Sequence, residues 1–124
     1  MNNKKLFTAS IIAGIAALFA IPTGIAYSTN CIFITGTNGP DTLTGTSGPD
    51  CVAGLAGNDR IQTGDGADLV IAGTGADRVT TGNSDDIIIL GSDGDVDRVM
   101  CGEGTDTVTG ADAADILRGC ENVS

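Results

Sequence analysis

Nine aspartates recur along this chain at almost fixed intervals. Asp41, Asp50, Asp59, Asp68, Asp77 and Asp86 follow one another every nine residues; a two-residue insertion near Leu90-Gly91 intervenes, and Asp97, Asp106 and Asp115 resume the series. A carboxylate is a hard oxygen ligand, suited to divalent cations that take several oxygens at once. If the period stacks these side chains at about 5 Å, neighbours repel by about 1 kcal/mol per pair even at water's dielectric constant. A hard divalent cation is the natural counter-charge. The chain has no His, so imidazole base catalysis and imidazole metal ligation are both excluded. No convincing nucleophile motif is present either, and the chain is not expected to be an enzyme.

The residues around each aspartate must build the element that positions it. Two residues before it stand Gly39, Gly48, Gly57, Gly66 and Gly75, then Ser84, Asp95, Gly104 and Ala113. Two residues after it stand Leu43, Val52, Ile61, Val70, Val79, Ile88, Val99, Val108 and Leu117. Three columns in one register over nine units define a solenoid. Each unit is a Gly-, Asn-, Ser- and Thr-rich turn ending at the Asp, where glycine supplies positive φ. A short strand follows, its residues pointing out, in and out again. The aliphatic column is the inward one, so an all-β fold with a thin core is expected. Before the first unit, Cys31-Ile32-Phe33-Ile34-Thr35 reads as a capping strand. Its Ile34 continues the inward column, and Ile32 stands where an Asp would.

Residues 1–28 read as a secretory signal: Lys4 and Lys5, an apolar run from Leu6 to Ile21, then Pro22 and Gly24. Cleavage is placed after Ser28, with Ala26 as the alternative and a retained anchor as the competing reading. Residues 29–124 then form one domain, secreted to the extracellular space or cell surface. Four arginines face sixteen acidic residues in it, a net charge of 4 − 16 = −12. That charge disfavours nucleic acid and anionic membranes as partners. Four cysteines suit an oxidising compartment. If two units make one coil, residues about 18 apart stack on neighbouring strands about 4.8 Å apart, within disulfide reach. Cys31–Cys51 and Cys101–Cys120 are then the expected pairs, one staple at each end.

Gly64-Asp65-Gly66-Ala67-Asp68-Leu69-Val70 and Gly73-Thr74-Gly75-Ala76-Asp77-Arg78-Val79 resemble the RTX (repeats-in-toxin, hemolysin-type) calcium-binding nonapeptide, Gly-Gly-x-Gly-x-Asp-x-U-x. The resemblance runs from Gly36 to Arg118. It implies a parallel β-roll, a β-solenoid with two nine-residue repeats per coil, and Ca2+ held between successive loops by aspartates and loop carbonyls. One edge would carry Asp41, Asp59, Asp77, Asp97 and Asp115, the other Asp50, Asp68, Asp86 and Asp106, with seven ions as the ceiling. Gly57, Gly66 and Gly75 belong to the implied sites. Asn38, Asp65 and Asn83 stand where a further side-chain oxygen could join. The sequence departs from the pattern at Thr37, Thr46 and Leu55, which replace the second glycine, and at Asp93-Gly94-Asp95 and Ala111-Asp112-Ala113. The function implied is a secreted calcium-binding module that folds on its ions. The alternative is a calcium-stabilised adhesion or glycan-binding module, and a metal-free Asp/Gly turn ladder also stays open.

Two outward columns carry further expectations. Arg60, Arg78 and Arg98 follow alternate aspartates and should line one face, as charge compensation or as an anion-binding ladder. On the other face Leu69, Ile71, Ile87 and Ile89 should point outward, either covered by a terminal segment or used in self-association.

Overall fold

The computed structural model describes residues 30–124. The proposed signal segment, residues 1–28, lies outside the described residues. Eleven strands follow one another: β1 (Ile32–Thr35), β2 (Thr42–Thr44), β3 (Asp50–Ala53), β4 (Arg60–Asp65), β5 (Leu69–Gly73), β6 (Arg78–Asn83), β7 (Ile87–Leu90), β8 (Arg98–Glu103), β9 (Thr107–Thr109), β10 (Ile116–Arg118) and β11 (Asn122–Val123). Odd-numbered β1 to β9 and then β11 form a six-stranded sheet; β2, β4, β6, β8 and β10 form a five-stranded one. Every pairing is parallel. The chain therefore winds as a β-solenoid, each coil giving one strand to each sheet.

The nine-residue period dictates this topology. One unit is too short to return to its own sheet, so it crosses to the other; two units bring the chain back one strand further on. Residues 18 apart are accordingly register partners: Leu43 with Ile61, Ile61 with Val79, Val52 with Val70 and Val70 with Ile88. The two-residue insertion stretches one coil, so Val79 meets Val99 and Ile88 meets Val108. The extra length sits in the loop between β7 and β8, and the ladder resumes unbroken.

The inward column forms the core as expected. Ile61, Val70, Val79, Ile88 and Val108 are fully buried, and Leu43, Val52 and Val99 nearly so, with Ile34 and Leu117 packed at the two ends. Fully burying such a side chain stabilises by roughly 1.5–3 kcal/mol. A second inward row stands four residues after the Asp: Thr63, Ala72, Thr81, Leu90 and Cys101 are all buried. The hydroxyls of Thr63 and Thr81 donate to the carbonyls of Thr81 (3.1 Å) and Cys101 (2.8 Å) on the next coil, so polar side chains enter this row without an unpaired donor. The core is thus wider than a single file of aliphatics.

Both ends are stapled by the expected disulfides, Cys31–Cys51 and Cys101–Cys120, with Cα atoms 5.5 and 5.3 Å apart. The aliphatics of the six-stranded sheet are less open than their outward register suggested. Leu69 and Ile71 are buried and Ile87 and Ile89 half-buried; Leu69, Ile87 and Ile89 form a small cluster with Cys31, Cys51 and Phe33. Among the described residues, no helix is long and apolar enough to cross a membrane.

Candidate metal centre

Each aspartate of the series sits just before a strand, or in the case of Asp50 opens it, where the turn hands over to the sheet. Stacking the coils lines up the carboxylates along the two edges of the roll, and the two series found in the sequence fall on the two edges as expected. A hydrogen bond links each step. The backbone N–H of one aspartate donates to Oδ1 of the aspartate on the next coil. Asp41 reaches Asp59, Asp59 reaches Asp77 and Asp77 reaches Asp97, each at 2.8 Å; Asp97 reaches Asp115 at 3.0 Å. On the other edge Asp50 donates to Asp68 at 2.8 Å, Asp68 to Asp86 and Asp86 to Asp106 at 2.9 Å. There the last acceptor is Glu121, whose Oε2 takes the Asp106 N–H at 2.9 Å.

That bond uses one oxygen of each accepting carboxylate, from Asp59 onward. The other is left without a partner in five places: Oδ2 of Asp59, Asp68, Asp77, Asp86 and Asp106 is buried and accepts no hydrogen bond. A buried unpaired polar atom is costly, and a charged one more so. Burial pushes the pKa of Asp68 and Asp77 up to about 7 and of Asp86 and Asp97 to about 6, and repulsion from neighbouring carboxylates adds to this. The pKa values of Asp59 and Asp106 are raised for the same first reason. A cation seated at these oxygens supplies what the protein withholds: a partner for Oδ2 and a counter-charge.

Glycine makes the loops stack closely enough for this. Gly57, Gly66 and Gly75 have φ of 113°, 106° and 110°, a region that side chains with Cβ rarely adopt. A Cβ on Gly57 or Gly66 would also lie 2.6 Å from the carbonyl carbon of Gly39 or Gly48 on the previous coil. Among the described residues no three His, Cys, Asp or Glu side chains converge on one point. Each step offers one open carboxylate, and the remaining ligands must be loop carbonyls, a donor set that suits a hard cation such as Ca2+ rather than a thiophilic metal.

Other residues singled out from the sequence stand apart from the ladder. Asp65 is exposed at the end of β4, and its Oδ1 accepts the Asn83 side-chain amide at 2.7 Å; these two are paired with each other. Asn38 is exposed. Several acceptors escaped the sequence reading. Asn58 accepts the Ala76 N–H (3.0 Å), Asp85 the Thr105 N–H (2.8 Å) and Asp93 the Gly75 N–H (2.8 Å), each across one coil. Asn58 and Asp85 directly precede ladder aspartates, a position whose variable residue type hid them.

A stack of Gly/Asp loops with two carboxylate edges defines the class: a parallel β-roll whose loops are built around oxygen ligands. The model of the RTX calcium-binding nonapeptide repeat (4 copies) matches residues 35–70, 62–97 and 94–119, and the chain belongs to this family. Its repeats carry calcium-binding loops in a structural rather than typically catalytic fold. No curated protein and no solved structure matches the chain.

Proposed function

We propose that this chain is a secreted calcium-binding β-roll whose folding is driven by Ca2+ seated at its aspartate ladders, with no catalytic role. The five buried, partnerless Oδ2 atoms carry the reading. Without an ion they oppose the fold; with one they join it. Asp59, Asp68, Asp77, Asp86 and Asp106 would hold the ions together with loop carbonyls, and Gly57, Gly66 and Gly75 let those loops approach. When bound, calcium supplies positive charge between carboxylates. The protein's own part is to fix Oδ1 by a backbone N–H, leaving Oδ2 free and oriented. Each coil templates the next, so filling is cooperative. Affinities of about 10⁻⁴–10⁻³ M suffice outside the cell, which fits the signal-like residues 1–28 and the two disulfides.

The test is far-UV circular dichroism of the oxidised protein, titrated with calcium from a chelated start and with magnesium as control. A cooperative gain of β signal with calcium alone is expected. A spectrum already complete in chelator, unchanged by calcium, would refute the reading.

A second reading adds a ligand, and one observation favours it. All four arginines of the described chain lie on the five-stranded sheet. Arg60, Arg78 and Arg98 are successive register partners, and Arg118 lies beside them, paired with Met100. The outward positions flanking the inward aliphatic column there, from Thr42 to Arg118, carry no acidic residue; Asp65 and Glu103 stand only at the far ends of β4 and β8. Arg78, Arg98 and Arg118 line a shallow cavity of about 230 Å³ with Met100 and Ile116. A regular row of guanidinium groups over apolar side chains suits a carboxylated polysaccharide, whose acid groups can pair in forks with arginine. Calcium-loaded protein should bind polygalacturonate but not neutral dextran, and lose that binding in the Arg78→Ser/Arg98→Ser double variant. Equal retention by the double variant would sink this reading.

A further inference from the structure

Seven of the nine loops fall into two kinds, and one backbone angle separates them. Asp59, Asp68, Asp77, Asp86 and Asp106 have the buried, open Oδ2. Four residues before them stand Leu55, Gly64, Gly73, Gly82 and Gly102, with φ of 83°, 98°, 104°, 109° and 100°. The correspondence is complete: each open carboxylate follows a residue in the left-handed region by four positions. Leu55 holds this angle although it has a Cβ, at a cost that glycine avoids. The loop form is therefore imposed by the stack and not by glycine alone.

Asp41 and Asp50 differ. Four residues before them stand Thr37 and Thr46, neither of which has positive φ. The Thr37 N–H donates to Asp41 Oδ2 at 2.6 Å and its hydroxyl to the same atom at 2.9 Å. The Thr46 N–H donates to Asp50 Oδ2 at 2.7 Å and its hydroxyl at 3.3 Å. Each threonine Oγ1 also accepts a glycine N–H, from Gly39 or Gly48, at 3.2 Å. A β-branched residue strongly resists φ > 0, so threonine turns its N–H toward the carboxylate where the other loops turn theirs away. Both loops read Thr-x-Gly-Pro-Asp, at Thr37 to Asp41 and Thr46 to Asp50. Hydrogen bonds to a charged group are stronger than neutral ones, and two of them give Oδ2 the partners that an ion would otherwise supply.

We propose that this chain takes calcium at Asp59, Asp68, Asp77, Asp86 and Asp106 and refuses it at Asp41 and Asp50, where Thr37 and Thr46 supply the bonds that replace the ion. The proposal rests on the calcium reading above and makes it specific to loops. The first coil, stapled by Cys31–Cys51, is then a metal-independent cap on which the calcium-dependent coils build.

Native mass spectrometry of the oxidised protein counts bound calcium, and circular dichroism gives the calcium midpoint of folding. The Asp→Asn variants keep an acceptor at Oδ1. Asp41→Asn and Asp50→Asn should bind as many ions as wild type, with an unchanged midpoint. Asp59→Asn and Asp68→Asn should each bind fewer, with a midpoint raised about tenfold or more, as befits loss of a metal-site group. Thr46→Gly should open its loop and gain an ion. If Asp50→Asn loses calcium as Asp68→Asn does, the proposal is wrong while the calcium reading stands. If wild type binds no calcium, both fall together.

Discussion

Replacing Asp68 with Asn should change the sign of its effect when calcium is added. The asparagine carbonyl can keep the bond that Asp68 Oδ1 accepts from the Asp50 N–H, at 2.8 Å. What disappears is one buried charge flanked by Asp50 and Asp86, both of which raise its pKa. Carboxylates about 5 Å apart repel by about 1 kcal/mol per pair at water's dielectric constant, so in chelator at about pH 8, where Asp68 is ionised, the variant should be about 2 kcal/mol more stable than wild type. An ion at a thousand times its dissociation constant stabilises a site by about 4.1 kcal/mol. The variant forgoes that term, so in saturating calcium it should be about 2 kcal/mol less stable. Urea unfolding followed by far-UV circular dichroism, in chelator and in calcium, measures both differences. If the chelated protein is mostly unfolded, titration with a stabilising osmolyte reads the same gain from the other side. Equal destabilisation in both buffers would refute the reasoning and make Asp68 a structural hydrogen-bond acceptor only. Stabilisation in both would mean that no ion sits there.

Without calcium, acid should substitute for it. Asp68 and Asp77 have folded-state pKa values of about 7 and Asp86 and Asp97 of about 6, against an ordinary 3.8. The folded chain thus binds protons more tightly than the unfolded one, and this contribution is fully present below pH 3.8 and lost as pH rises through 6 and 7. Chelated protein should gain β signal as pH is lowered from 8 to 5; a flat profile would count against the buried-carboxylate argument. Gly66→Ala places a Cβ 2.6 Å from the Gly48 carbonyl carbon at a φ of 106° and should destabilise by more than about 2 kcal/mol, whereas Gly48→Ala, with nothing within 4 Å, should stay within about 1 kcal/mol in thermal melts. Reducing Cys101–Cys120, which closes a 19-residue separation, should cost about 3 kcal/mol, read as a lower urea midpoint in calcium.

What the sequence made legible was what the repeat makes identical from coil to coil. The Asp column, the inward Leu/Val/Ile column and the terminal disulfides follow from a period of nine, because stacking turns equal spacing into contact. The second inward row was hidden because Thr63, Ala72, Thr81, Leu90 and Cys101 share a direction and not a residue type; threonine hydroxyls satisfied by the next coil's carbonyls make it tolerant. Glu121 closes the second ladder 15 residues after Asp106, out of phase with the period, so no nine-residue column points to it. Thr37 and Thr46 stood out only as missing glycines. Their meaning lies in where an N–H points, which depends on φ. Asp65 stands in the repeat where a further side-chain oxygen could join, and that position does not tell that at the end of β4 it accepts the Asn83 side-chain amide. The outward aliphatics were correctly placed by register, yet register alone does not say that Leu69 and Ile71 are covered.

The alternation of sheets gives this molecule a natural unit of length. Odd-numbered units feed one sheet and even-numbered ones the other, so a segment of 18 residues can be removed or duplicated without moving any other residue to a new surface. A change of nine residues is not equivalent. Every later unit would cross to the opposite sheet, the arginines at 78 and 98 would leave the row begun by Arg60, and the face shared by Cys51, Leu69 and Ile87 would receive charges in place of its aliphatics. The two faces thus behave as a parity carried along the chain, and lineages of such rolls should lengthen and shorten by whole coils.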